Sequence, residues 1–231
     1  MEVKPTYTAI NPQLGEIQWK EIPSDSLLSR QLGFLDLIQQ EWSDQIQDIR
    51  QGFTSVSILW KNEAAQSRFR SEFGSLKSNP KALSDKVWQV PVCYGGGYGK
   101  DLEALALAKG LPADELIKLH ASTRYRIHFF GFLPGFMYLN GLPEILHTAR
   151  KAVPDRAVPA GSVAIGGSQT GIYPSQSPGG WHIIGRTPLV LFDAEKNPPV
   201  WASPGDSLRF VAITESEMEK LLKNPPLPIL I

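Results

Sequence analysis

The spacing of apolar residues changes character along the chain. Ser24 or Asp25 can cap a helix in which Leu27, Leu28, Leu32, Leu35 and Ile38 recur at helical intervals. "FTSVSILW" (53–60) alternates polar and apolar positions and turns fully apolar at its end, which suits a buried strand. Asn62 opens a second helix through about Leu76, and "KVWQVPV" (86–92) reads as another strand. A strand pair or irregular strand, interrupted at Asn11-Pro12, covers 5–19. This order predicts a small α/β sandwich of the split-βαβ, ferredoxin-like type over residues 1–93.

"YGGGYGKD" (94–101) is the natural break. Beyond it Asp101 can cap a short Ala/Leu helix that Gly110 stops, and Pro112 to about Ser122 forms the next. From "YRIHFFGFL" onward, short apolar segments at 125–132, 161–166, 181–185, 188–192 and 207–213 are separated by Gly, Pro and Asp turns. Regularly spaced short strands predict a closed or nearly closed β-barrel over 94–231, with a short helix at 214–222. The overall class is therefore α+β.

Lys+Arg and Asp+Glu both total 23, so no basic excess favours a phosphate backbone, and a small-molecule or protein partner fits better than nucleic acid. The 42% hydrophobic and 20% charged shares exclude a disordered chain. "MEVKPTYTAI" lacks a signal-peptide pattern, no long apolar run suggests a membrane span, and Cys93 is a single cysteine. Together these features lead to the expectation of a cytoplasmic protein.

Familiar catalytic signatures are incomplete. In the glycine run, Tyr94 stands where a phosphate loop needs its first Gly, and Asp101 stands where it needs a hydroxyl. Lys100 replaces the third Gly of a dinucleotide pattern, so the run reads as an interdomain turn, with an anion-facing loop as the other reading. Ser168 and Ser177 lack G-x-S-x-G, and Cys93 beside "VPV" suits a small buried hydrophobe. His120, His128, His147 and His182 show no zinc spacing, and no metal site is expected. On a strand, His128 would share a face with Arg126 and Phe130, either lining a pocket or simply satisfied in place.

"GFLPGFMYLNGLP" (131–143) sets aromatics on a rigid loop, and Arg150, Lys151 and Arg156 follow. Such forks suit a carboxylate or phosphate, or form a solvated charge cluster. "GSVAIGGSQTGIYPSQSPGGWHIIGRTP" (161–188) is rich in Gly and Pro yet carries Ile165, Ile172, Tyr173, Trp181 and Ile183. Glycine backbone beside Gln169, Thr170, Tyr173 and Ser177 reads as a binding surface on the barrel.

These strings, with "LFD" and "PGDSLRF" in the same order, resemble the 5-oxoprolinase B-subunit family, also known as KipI or allophanate hydrolase subunit 1-like, over about 94–213. The resemblance implies a cyclophilin-like barrel after the small α/β domain, and a likeness to the carboxyltransferase part of urea carboxylase. It implies partners, a KipA-like C-subunit and an A-subunit, with which the chain opens pyroglutamate to glutamate in an ATP-dependent reaction and without which it is inactive. ATP, with Mg2+, is expected at a site shared with the partner. Under this resemblance Arg186, Gln169 and His128 are the catalytic candidates. Arg156, Thr170 and Tyr173 become substrate contacts, with Phe132, Phe136 and Trp181 as walls. The family also offers a different role, a KipI-like inhibitor that binds a sensor histidine kinase.

Overall fold

The computed structural model describes residues 4–231, which fall into two compact units, 4–83 and 84–231. The first unit comprises β1 (Thr6–Ala9), β2 (Leu14–Gln18), α1 (Asp25–Trp42), β3 (Ile46–Gln51), β4 (Ser55–Trp60) and α2 (Glu63–Glu72). Its antiparallel sheet runs β1-β2-β4-β3, so β4 inserts between the two strands that α1 connects. That is the split-βαβ arrangement. One strand differs from expectation: β1 takes the outer edge beside β2, and the strand expected at 86–92 is not part of this sheet. The Asn11 side chain makes this hairpin by accepting the amides of Gln13 and Leu14 at 2.9 and 2.8 Å.

Both helices start where capping chemistry places them. Ser24 accepts the Leu27 amide and Asn62 accepts the Ala65 amide. Their apolar stripes meet Ile17, Val56, Ile58 and Trp60 from the sheet in one core.

The second unit begins with β5 (Val87–Tyr94), α3 (Leu102–Lys109), α4 (Ala113–Ser122), β6 (Arg124–Phe130) and β7 (Met137–Asn140). It continues with β8 (Asp155–Val158), β9 (Ser162–Gly166), β10 (Gln169–Ile172), β11 (Ser177–Gly179) and β12 (His182–Arg186). β13 (Ser207–Ala212), α5 (Glu215–Lys223) and β14 (Ile229–Leu230) complete it. Seven strands close a barrel in the order β12-β9-β10-β7-β6-β13-β5, and β5 returns to β12 through Gly185↔Tyr94 and Arg186↔Cys93. Residues 86–92 therefore belong to the barrel, where β5 lies parallel to β13, and the first unit ends before them. Segment 188–192 is not a strand, although Leu189 and Leu191 are buried in the barrel core.

Inside the barrel a buried polar chain replaces part of the apolar filling. Thr170 Oγ1 donates to the Ala164 carbonyl at 3.0 Å, so it accepts from His120 Nε2 at 2.9 Å. His120 Nδ1 then accepts from the Tyr94 hydroxyl at 2.8 Å. The Phe210 ring stacks on this imidazole. Burial lowers the His120 pKa from 6.5 to about 3, so the ring stays neutral. Cys93 is buried beside this region, and burial raises its thiol pKa, as suits a small core hydrophobe.

Candidate functional site

Three segments of the barrel unit converge on one cavity of about 290 Å³. The rings of Phe136, Tyr138, Tyr173 and Trp181 wall it, Phe132 stands at its mouth and Arg150 at its rim. Phe136 lies at the centre of the cluster, with centroids 5.5 Å from Tyr173 and 5.7 Å from Trp181, both edge-to-face.

Glycine makes this wall possible. A Cβ on Gly166 would stand 2.5 Å from the Trp181 ring, and one on Gly179 would stand 2.3 Å from the Tyr173 hydroxyl oxygen. The two rings therefore lie directly on glycine backbone, which explains why a Gly-rich stretch also carries aromatics. Phe132 is held at φ 67° and remains 62% exposed. A bulky side chain in the left-handed region costs about 1–3 kcal/mol, a strain typical of ligand-gripping loops.

The Arg150 guanidinium lies 6.0 Å from the Trp181 ring centroid. Its segment is fixed by its neighbour: the Lys151 amide donates to the Gly180 carbonyl at 2.7 Å. Lys151 Nζ binds Asp101 Oδ2 at 2.6 Å and Asp155 Oδ2 at 2.8 Å, and Lys100 binds the other Asp155 oxygen at 2.7 Å. Burial disfavours the charge on Lys151, but the two carboxylates outweigh it and raise the pKa. Burial likewise opposes ionisation of Asp155, and the two ammonium groups win, so its pKa falls. Burial raises the Tyr138 and Tyr173 phenols, so both stay protonated as hydrogen-bond groups.

The expected cap at Asp101 is corrected. Its carboxylate makes no capping bond to α3 and instead accepts the Ile183 amide and Lys151. Part of the glycine run is likewise occupied, which weakens its anion-facing reading. The amides of Gly95, Tyr98, Gly99 and Asp101 all donate to backbone carbonyls of Ile184, Gly95, Gly95 and Ile183.

Of the sequence candidates, Tyr173, Phe132, Phe136 and Trp181 share the cavity. The other five lie elsewhere. Thr170 is in the buried chain with His120. Arg186 donates from Nε to the Ala160 carbonyl at 2.7 Å, and Gln169 is half-buried at the turn between β9 and β10. Arg156 is exposed on β8. A bulge between Ile127 and Phe129 breaks the alternation of β6, so His128 is buried with both neighbours instead of sharing an open face with Arg126. Tyr138 also joins the site, as does Arg150, which the sequence offers as an anion contact or as part of a solvated charge cluster. The signal for Arg150 is its closeness to the aromatic loop.

The Carboxyltransferase domain, subdomain C and D, family model matches residues 6–202. The 5-oxoprolinase B-subunit of Escherichia coli O157:H7 is 53% identical over 123 residues, which is 53% of this chain and 56% of that protein. The 5-oxoprolinase B-subunit of Bacillus subtilis (strain 168) is 44% identical over 135 residues, 58% of this chain and 56% of that protein. These matches span little more than half the length of either curated relative. Among solved structures, TTHA0988 matches with a TM-score of 0.76 and 28% identity, over 87% of this chain and 40% of that one. The K. lactis urea amidolyase shares the fold, with a TM-score of 0.79 at 16% identity over 100% of this chain and 16% of that one.

Proposed function

Because this chain belongs to the carboxyltransferase domain family, subdomain C and D, we propose that it works as the B-subunit of an ATP-dependent 5-oxoprolinase. The names and identities of its curated relatives support this reading. The structural observation that carries it is the aromatic cavity with a guanidinium at its rim. 5-Oxoproline is a small, nearly flat lactam bearing one carboxylate. Ring faces and edges at Phe136, Tyr173 and Trp181 suit the flat ring, and the Arg150 fork suits the carboxylate. Neutral Tyr138 and Tyr173 add hydrogen-bonding groups without repelling that anion. The residues thus bind and orient the lactam, and their packing excludes water from one side of it.

A magnesium nucleotide does not fit the same residues. The amides of Gly95, Tyr98, Gly99 and Asp101 donate to backbone carbonyls, and Lys100 and Lys151 are neutralised by Asp155 and Asp101. We therefore place ATP on a surface shared with a C-subunit partner, and assign this chain the part of substrate holder within the complex. The test is reconstitution with the A- and C-subunits, ATP and 5-oxoproline, following glutamate release. Release is expected only when this chain is present. Full activity of those two partners without it, or inhibition of a sensor histidine kinase by this chain with no effect on glutamate release, contradicts the proposal.

A further inference from the structure

The first unit holds a larger cavity, of about 590 Å³, that the lactam reading leaves without a role. Its wall is aromatic: Trp19, Phe34 and Phe73 form a ladder with centroids 6.1 and 6.0 Å apart. Its charge is one-sided, because Lys4, Arg30 and Lys77 line it and no carboxylate does among the described residues. Glu21 grips Arg30 through both oxygens, which fixes the direction of that guanidinium.

The segment that closes one side is clipped in place rather than draped. The Lys81 amide donates to the Ser29 carbonyl at 2.9 Å, and Ser29 Oγ returns a bond to the Lys81 carbonyl at 2.7 Å. Lys81 Nζ reaches Asp36 at 2.9 Å. The Asn79 carbonyl packs so closely on α1 at Gly33 that a Cβ there would lie 1.9 Å from it. A preformed aromatic wall beside exposed lysines suits an amphiphilic anion.

We propose that this cavity binds a small amphiphilic anion, an aromatic or apolar body carrying one carboxylate or sulfonate. The class of ligand follows from charge complementarity: the rings bury the body and Lys4 and Lys77 meet the anionic head. Gly74 supplies a clean test, since a Cβ there meets nothing within 4 Å. A Gly74→Trp side chain therefore starts in open space at a position that lines the cavity, where an indole competes with a ligand.

The experiment titrates 8-anilinonaphthalene-1-sulfonate into the full chain and reads its fluorescence. Saturable brightening is expected, weakened about tenfold or more in Gly74→Trp and in the paired Lys4→Glu, Lys77→Glu variant, and kept in Arg150→Ala. Circular dichroism checks that each variant is folded, and the charge pair keeps the test decisive if Gly74→Trp is not. Absence of saturable brightening, unchanged binding in a folded Gly74→Trp chain or in the charge pair, or loss in Arg150→Ala overturns the proposal. Only the last would move the probe to the barrel cavity, so failure here is distinguishable from failure of the lactam reading.

Discussion

Arg150→Ala is expected to raise KM for 5-oxoproline by roughly 30-fold in the reconstituted enzyme, equivalent to about 2 kcal/mol of lost binding. The size follows from a charge-assisted pair to a carboxylate, kept modest because Arg150 is exposed before the substrate arrives. The effect falls on KM more than on kcat, because the carboxylate takes no part in opening the lactam bond and its contact is the same in ground and transition states. Arg150→Lys is expected to recover only part of the loss, since a point charge cannot reproduce the fork. Steady-state kinetics over a range of 5-oxoproline concentrations measures this split. A fall in kcat at unchanged KM would remove Arg150 from substrate binding.

The second large effect is on stability. His120→Ala removes a buried ring and strands the Tyr94 and Thr170 hydroxyls that it joins. The cost is roughly 4 kcal/mol, combining a cavity with unsatisfied polar groups, and it lowers the melting temperature by about 10 °C. The same histidine makes the fold acid-sensitive. Its pKa is 6.5 in its ordinary state and about 3 when folded, so between those values the unfolded chain binds a proton that the folded chain refuses. The contribution is complete above pH 6.5 and declines as pH falls toward 3. His120→Gln retains a donor and an acceptor but does not titrate, so its stability deficit against the parent chain is expected to shrink from pH 7 to pH 4. Thermal melts at the two pH values check both points, and a deficit that does not change with pH contradicts the buried neutral ring.

How far the sequence could be read follows from which interactions are local. Ser24 and Asn62 announce their helices because a cap bonds three residues ahead. The alternation in 53–60 announces β4 because one face of it is core. The aromatic wall is also legible, since Phe136, Tyr173 and Trp181 lie in Gly-rich and Pro-rich strings where bulky rings need a reason. Less visible are the partners of polar groups. Arg186 and Thr170 look like ligand contacts in sequence, yet the Arg186 Nε and the Thr170 hydroxyl donate to the Ala160 and Ala164 carbonyls, and a linear pattern does not reveal which donors fold back on the chain. Arg150 meets Trp181 only through the ladder of β8 with β11 and the bond from Lys151 to Gly180, both long-range events. His128 departs from its expected face for a similar reason, because one bulge in β6 resets the alternation. The strand at 86–92 fits either unit by pattern, and its parallel pairing with β13, over a hundred residues on, decides the matter.

The central claim is that the aromatic cavity of the barrel holds the lactam. Its most direct test is an amide and indole NMR spectrum of the full chain titrated with 5-oxoproline. The account predicts saturable shifts at the Trp181 indole N–H and at the Gly179 and Gly180 amides, weakened in Arg150→Ala. Binding that leaves those signals still, or a chain that shows no saturable shift at all, would contradict it.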